Sequence, residues 1–309
     1  MLEDTELLKM IEKCTRLERL DMNMIMNEEP PKIDFVLPSL SAGSVGILSG
    51  AGGTGKSMLA LQLMFTVAAG NYCDFSLAEG QWKQPDSTPA KVAYISIEDP
   101  SEILHSRLHS MIKYYAQDML RDEFLKTGML DLIDVYSLLG QGFSLMTSEG
   151  MPTQWHKTII EACKGARLVF IDTMRRAHDA NENDNGLMSI FLKHIEIIAK
   201  NTGASIVLLH HENKSGQNDE SGSEASRGAS SIVDNARWVA RVKKMSAKEA
   251  LENQVYEADR RFYLKLTVEK NNYGAPVAPV WLQRNINFNG VLSAAKLEPL
   301  ENKGGRKNG

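Results

Sequence analysis

Leu7, Leu8, Ile11, Leu17 and Leu20 recur at roughly helical spacing among Glu, Lys and Arg, so residues 1–29 read as a helical arm. Glu28–Lys32 (EEPPK) ends it, because consecutive prolines remove backbone donors and break a helix. From Ile33 the spacing changes. IDFVLP (33–38) and SVGIL (44–48) read as short strands, and the second runs into a glycine-rich turn. Met58–Ala69 follows as a helix with few polar interruptions, the pattern of a buried helix. Lys91–Ile97 (KVAYISI), Ala166–Asp172 (ARLVFID) and Ser205–His211 (SIVLLHH) are strands by their β-branched and apolar content. The last two are nearly continuous in apolar residues, as in strands covered on both faces. DPSEILHSRLHSMIKYYA and Met188–Lys200 read as helices between them.

Strands alternating with helices predict an α/β fold with a largely parallel, doubly wound sheet. Arg260–Ala294 adds strands joined by Gly/Asn turns. Glu212–Gly228 (ENKSGQNDESGSEASRG) lacks apolar periodicity and reads as a long mobile loop. The tail, ending NKGGRKNG, is expected to be disordered. The expected division is an N-terminal helical arm (1–30), one α/β domain (31–298) and a tail (299–309).

Composition narrows the function classes only a little. The chain has 309 residues, 43% hydrophobic and 24% charged, enough apolar mass for one large core. Net charge is −4 and the pI near 6.0, so any nucleic-acid surface must be local. The three cysteines, Cys14, Cys73 and Cys163, form no C-x-x-C pair and fit a reducing, cytoplasmic setting better than a disulfide framework. The start, MLEDTELLKMIEK, is acidic and lacks the basic segment of a signal peptide. No apolar run of about 18 residues predicts a membrane span.

The glycine-rich turn carries the chemistry. Gly50-Ala51-Gly52-Gly53-Thr54-Gly55-Lys56-Ser57 fits G-x-x-x-x-G-K-[ST], in the strand–turn–helix context that a phosphate-binding loop requires. Its glycines let backbone N–H groups point at phosphate oxygens, and the helix beginning near Lys56 adds its positive dipole end through Met58. Lys56 would neutralise β/γ oxygens of ATP, and the Ser57 hydroxyl would ligate Mg²⁺. Asp172, at the carboxyl end of a strand, can hold the same magnesium through water. The alternative, a cap or turn residue, stays open at this point.

Glu98 and Asp99 follow a strand end. Asp99-Pro100-Ser101-Glu102 reads as a capping box with Asp99 at the N-cap. Glu98 is left without a structural task, where a carboxylate can deprotonate an attacking water. A solvated strand-end glutamate is the competing reading. His210 and His211 end another strand; either could contact the γ-phosphate or make only a local hydrogen bond. Adjacent strand residues face opposite ways, which argues against two-histidine metal ligation.

The order of P-loop, glutamate, aspartate and polar strand end resembles the RecA-like core of recombinases and of ring helicases of the DnaB group. Closer blocks are DFVLPSLSAGSVGILSGAGGTGKSMLALQL, YISIEDPSEILHSRLH, IDTMRRAHDANENDNGLM, IVLLHHENK, ASRGASSIVDNARW and NNYGAPVAPVW. Together they are similar to the RepA-type hexameric replicative DNA helicases of broad-host-range mobilisable plasmids, over roughly Ile33 to Leu292. The resemblance implies a homohexameric ring that translocates 5′ to 3′ on single-stranded DNA, using ATP and Mg²⁺ at sites shared between subunits. It adds a plasmid initiator or a primase as candidate partners. By block matching it assigns nucleotide chemistry to Lys56, Ser57, Glu98, Asp172 and His211, and an arginine finger reaching the neighbour's γ-phosphate to Arg227. Lys270 and Arg284 are further finger candidates, and Arg107 and Tyr273 fall in nucleotide-proximal blocks.

Two features depart from that family. The N-terminal arm is extended, and its apolar stripe could pack on a neighbour or on its own core. The loop expected to meet DNA carries Asp219, Glu220 and Glu224 against Lys214 and Arg227, a poor phosphate tracker unless six copies line one channel. A RecA-like single-strand-binding ATPase and a nucleotide-switched assembly protein remain the rival readings.

Overall fold

The computed structural model describes residues 19–70, 77, 82, 88–117, 128–212 and 235–298. Residues 1–18, most of the loop 212–228 with Arg227, and the tail 299–309 lie outside them. The described part of the arm is one short helix, α1 (Met22–Asn27), with Asp21 capping the Asn23 and Met24 N–H groups. None of its residues is buried; Met22, Met24, Ile25 and Met26 are all more than half exposed. This segment therefore does not pack on its own core.

β1 (Phe35–Leu37) and β2 (Leu40–Ser41) form a small hairpin, and β3 (Val45–Gly50) leads into the glycine turn. Helix α2 (Lys56–Ala69) follows, and every residue in it except Ser57 is buried. β4 (Val92–Ser96) leads to α3 (Ser101–Tyr115), then β5 (Ile133–Ser137), α4 (Trp155–Ala162) and β6 (Leu168–Asp172). α5 (Asn185–Thr202) is longer than its periodic stretch because Asp184 caps its start and Gly203, at φ 78°, ends it. β7 (Ser205–His211), β8 (Trp238–Lys244), α6 (Ala247–Glu252), β9 (Tyr263–Asn271), β10 (Val280–Asn285) and β11 (Val291–Ala294) complete the described chain.

Among the described residues the main sheet has the order β11-β10-β9-β8-β3-β7-β6-β4-β5. From β8 to β5 every pairing is parallel; β9, β10 and β11 turn antiparallel on the far edge. Strand alternation sends Leu48, Tyr94, Phe170 and Leu209 to a core on the α2 face. Ile47, Ala93, Ile171 and Leu208 go to a second core under α4 and α5. The central strands are apolar on both sides because both sides are covered. No described helix is long and apolar enough to cross a membrane.

One local expectation is overturned. Asp99 does not cap α3: the N-cap position is Pro100, with no side-chain cap bond. The Asp99 N–H donates to Ser96 Oγ at 3.1 Å, and its carboxylate pairs with Arg107, two turns along α3. An arginine within reach in space outcompeted the backbone N–H groups at the helix start.

Candidate nucleotide site

The parallel strands β3, β7, β6 and β4 end together, and the backbone ties those ends. Glu212 N–H donates to Gly50 O at 3.1 Å, and Ile97 N–H donates to Asp172 O at 2.6 Å. Glu98 is thereby carried beside Asp172, and His211 beside Gly50, with which it is in register. Open α/β sheets place ligands at this carboxyl edge.

The turn needs its glycines. Gly53 and Gly55 have φ of 68° and 86°, the left-handed region, and a Cβ on Gly50 would come within 2.5 Å of the Val242 carbonyl. Gly52 faces open space, and Ala51 turns its carbonyl to the loop's own donors. Lys56, 4% exposed, donates through Nζ to Gly50 O at 2.7 Å and Ala51 O at 3.0 Å, and lies 3.3 Å from His211 Nδ1. Burial pushes its pKa down to about 8, against the pull of Asp172, Glu212 and Glu98. Met58, also buried, packs in the first turn of α2.

His211 stands between two partners. Its Nδ1 faces Lys56, and its Nε2 faces Glu98 Oε2 at 3.7 Å. Arg176 approaches Glu98 Oε1 with Nε at 3.4 Å. The Glu98 side chain remains 38% exposed and can reach a bound water. Asp172 is 3% exposed and accepts from the Tyr94 hydroxyl, which also hydrogen-bonds Ser57. Burial, then the charge of Asp172, raises the Tyr94 pKa well above its usual value, so it stays a donor. A hydroxyl and a carboxylate joined through one phenol offer the hard oxygen donors that Mg²⁺ takes, and the residues fit that ion. The donor atoms of Glu98, Asp172 and His211 lie within 4.8 Å of one another. His210, 6% exposed, has its pKa pushed down to about 4, chiefly by burial.

Other candidates fall elsewhere. Arg107, paired with Asp99, lies near enough to Tyr94 to act on it electrostatically, at the rim of the site. Arg284 lies on its own subunit's loop, donating to Gly53 O at 2.6 Å. Tyr273 and Lys270 are at the opposite end of the sheet. Asn271 and Lys270 pair with Trp238 and Val239 at the start of β8, and Tyr273 shares a cleft with Ser44, Lys200 and Arg237. Arg227 lies outside the described residues.

Tyr94 and Arg176 escaped the sequence reading. Tyr94 resembles any core aromatic in an apolar strand, and no spacing rule links it to Asp172. Arg176 could have been suspected from its place four residues after Asp172, in Asp-Thr-Met-Arg-Arg.

A family model described as an AAA domain (AAA_25) matches residues 12–217. The chain belongs to that family. The AAA_25 match spans β1 to β7 and the whole P-loop, and the antiparallel edge β8–β11 lies beyond it. Solved structures share the fold over nearly the entire chain. One of them, an ATPase domain solved by itself, is 14% identical, with TM-score 0.56, covering 95% of this chain and 98% of its own. A DnaB-like replicative helicase, solved with its interactions with primase as a subject, is 13% identical with TM-score 0.57, covering 95% and 71%. A KaiC-like protein from Pyrococcus horikoshii is 13% identical with TM-score 0.50, covering 86% and 100%. The AAA_25 chain thus has the RecA-like P-loop fold, with a mostly parallel sheet and antiparallel C-terminal strands.

Proposed function

We propose that the chain is an ATP-driven translocase on single-stranded DNA, working as a homohexameric ring with 5′–3′ polarity in plasmid or mobile-element replication. The observation that carries the reading is the run Lys56–His211–Glu98 beside Asp172, which joins the phosphate loop to a candidate base and to the start of the loop after β7. A triphosphate competes with the Gly50 and Ala51 carbonyls for Lys56, and its γ-phosphate comes within reach of His211. Mg²⁺, held by Ser57 and Asp172, neutralises phosphate charge when bound. Glu98 accepts the proton of the attacking water, and Arg176 and His211 keep its carboxylate aimed at the site. When phosphate leaves, His211 returns to Lys56 and pulls on the segment that follows Glu212. Arg227 of a neighbouring subunit supplies the positive charge that the transferred phosphoryl group needs.

A forked duplex with a 5′ or a 3′ single-stranded tail, incubated with ATP, tests the reading alongside ATPase with and without single-stranded DNA. Strand separation on the 5′-tailed fork and DNA-stimulated ATPase are expected. Hydrolysis without separation on either fork would sink the helicase reading and leave a strand-binding ATPase or a nucleotide-switched assembly protein. Mixing Arg227→Ala with Glu98→Gln subunits should restore part of the ATPase. Each inactive chain then supplies what the other lacks at a shared site, and no restoration counts against Arg227.

A further inference from the structure

Arg284 belongs to β10, the third strand from β3 in the sheet, yet its side chain ends on the phosphate loop. Nη2 donates to the Gly53 carbonyl at 2.6 Å. The guanidinium also lies over Gly55, where an added Cβ would stand 3.3 Å from it. Gly53–Thr54 is a planar trans peptide, so holding its carbonyl outward turns the Thr54 N–H inward. That N–H makes a long, 3.3 Å bond to Ala51 O, the acceptor that Lys56 Nζ and Thr54 Oγ1 also share. An overcommitted carbonyl gives up such a donor readily, and the inward N–H is one a phosphate oxygen can take.

Arg284 is itself held from behind. It pairs across the sheet with Leu292 of β11. Both backbone groups of Leu292 are bound by one side chain, Gln62 of α2: its amide nitrogen donates to Leu292 O and its oxygen accepts Leu292 N–H, each at 2.8 Å. Gln62 is fully buried, and its amide also donates to the Tyr115 hydroxyl at 2.8 Å. A closed circuit results, from the phosphate loop into α2, through Gln62 to Leu292, across to Arg284, and back to Gly53. The antiparallel edge is fastened to both ends of the loop–helix unit that would grip a triphosphate.

We infer that Arg284 acts in cis, as a positioning residue that holds its own subunit's phosphate loop in the shape a triphosphate requires. Gln62 and Leu292 are the frame that aims it. The inference deepens the nucleotide reading of this site and rests on it. It also separates Arg284 from the finger role, which requires a guanidinium presented to a neighbour.

Binding of a fluorescent, non-hydrolysable ATP analogue to the wild-type chain, Arg284→Ala and Arg284→Lys is the test, with turnover measured at saturating ATP. Arg284→Ala should weaken binding about tenfold, the weight of one charge-assisted hydrogen bond, and leave saturated turnover within about threefold. Arg284→Lys keeps a charged donor and should regain part of the affinity; it is also the informative variant if the alanine chain does not fold. Mixing Arg284→Ala with Glu98→Gln subunits should restore no ATPase, because both lesions lie in the same subunit's site. Unchanged affinity in Arg284→Ala would overturn the inference. So would a collapse of turnover that mixing restores, which is the behaviour of a finger. If the wild-type chain binds no analogue, the nucleotide reading itself fails, a result distinct from equal binding by wild-type and variant.

Discussion

Lys56 is an ammonium buried on two backbone carbonyls with a histidine as its third contact. Burial lowers its pKa to about 8, so near pH 7 it is mostly charged and above pH 8 mostly neutral. A bound triphosphate favours the charged form. Affinity for ATP should therefore fall as pH rises through about 8, and binding near pH 8.5 should take up a proton. Calorimetry in buffers of different ionisation enthalpy reads that proton; affinity flat from pH 7 to 9 would contradict it. Tyr94 makes a second residue-scale prediction. Tyr94→Phe removes the hydroxyl that joins Asp172 to Ser57 and should cost about 10–100-fold in Mg²⁺-dependent activity, as outer-shell partners of metal ligands do. Raising Mg²⁺ should recover part of it. At this scale the motif residues were legible because their spacing along the chain carries the chemistry. Asp99 was misread for the opposite reason. Its capping pattern is local, and its partner, Arg107, faces it across two turns of α3.

At the scale of elements, the central strands and α5 could be read from their periodicity, since burial on both faces leaves almost no polar positions in a strand. β5 and β8 were passed over. β5 is half-buried along its whole length, and β8 ends in exposed lysines, so neither shows the continuous apolar run of β6 or β7. Helix α2 hides its most consequential residue. Gln62 looks like a stray polar position in an apolar helix, but it satisfies both backbone groups of Leu292. Gln62→Leu keeps the volume and leaves a buried N–H and a buried carbonyl without partners. Its cost should be about 3 kcal/mol in urea unfolding, with Leu292→Ala a poor mimic because it leaves the bracket in place. A loss below about 0.5 kcal/mol would mean that water reaches the bracket.

The whole molecule carries a store of buried, uncharged histidines. His156, His178 and His210 each have pKa values pushed down to about 4, with burial the largest cause. Between pH 6.5 and 4 the unfolded chain takes up protons that the folded chain refuses. Stability is therefore full above pH 6.5 and lost as pH falls toward 4. Urea midpoints measured from pH 7.5 to 4 should show that decline, and His178→Leu, which keeps an apolar contact with Phe191, should make it shallower. A decline of unchanged steepness in that variant would remove His178 from the account. The exposed methionines of α1 belong to this scale as well. The arm's apolar stripe was legible, but only packing reveals that its described part leaves its own core uncovered.

By itself the sequence determined the class of fold and the position of the phosphate loop. Both follow from short-range pattern: alternation and apolar runs for the strands, and a fixed eight-residue spacing for the glycine turn. It also marked Glu98, Asp172 and His211 as strand-end polar residues. Tertiary structure alone decided which of them meet. Parallel strands far apart in the chain end at one edge, and this sets His211 between Lys56 and Glu98. It brought Tyr94 and Arg176 to the site, carried Tyr273 and Lys270 to the other end of the sheet, and laid Arg284 on its own loop. Those outcomes depend on sheet order and on the direction of each strand. The antiparallel edge runs back along the sheet, and no spacing in the chain records where a returning strand will end.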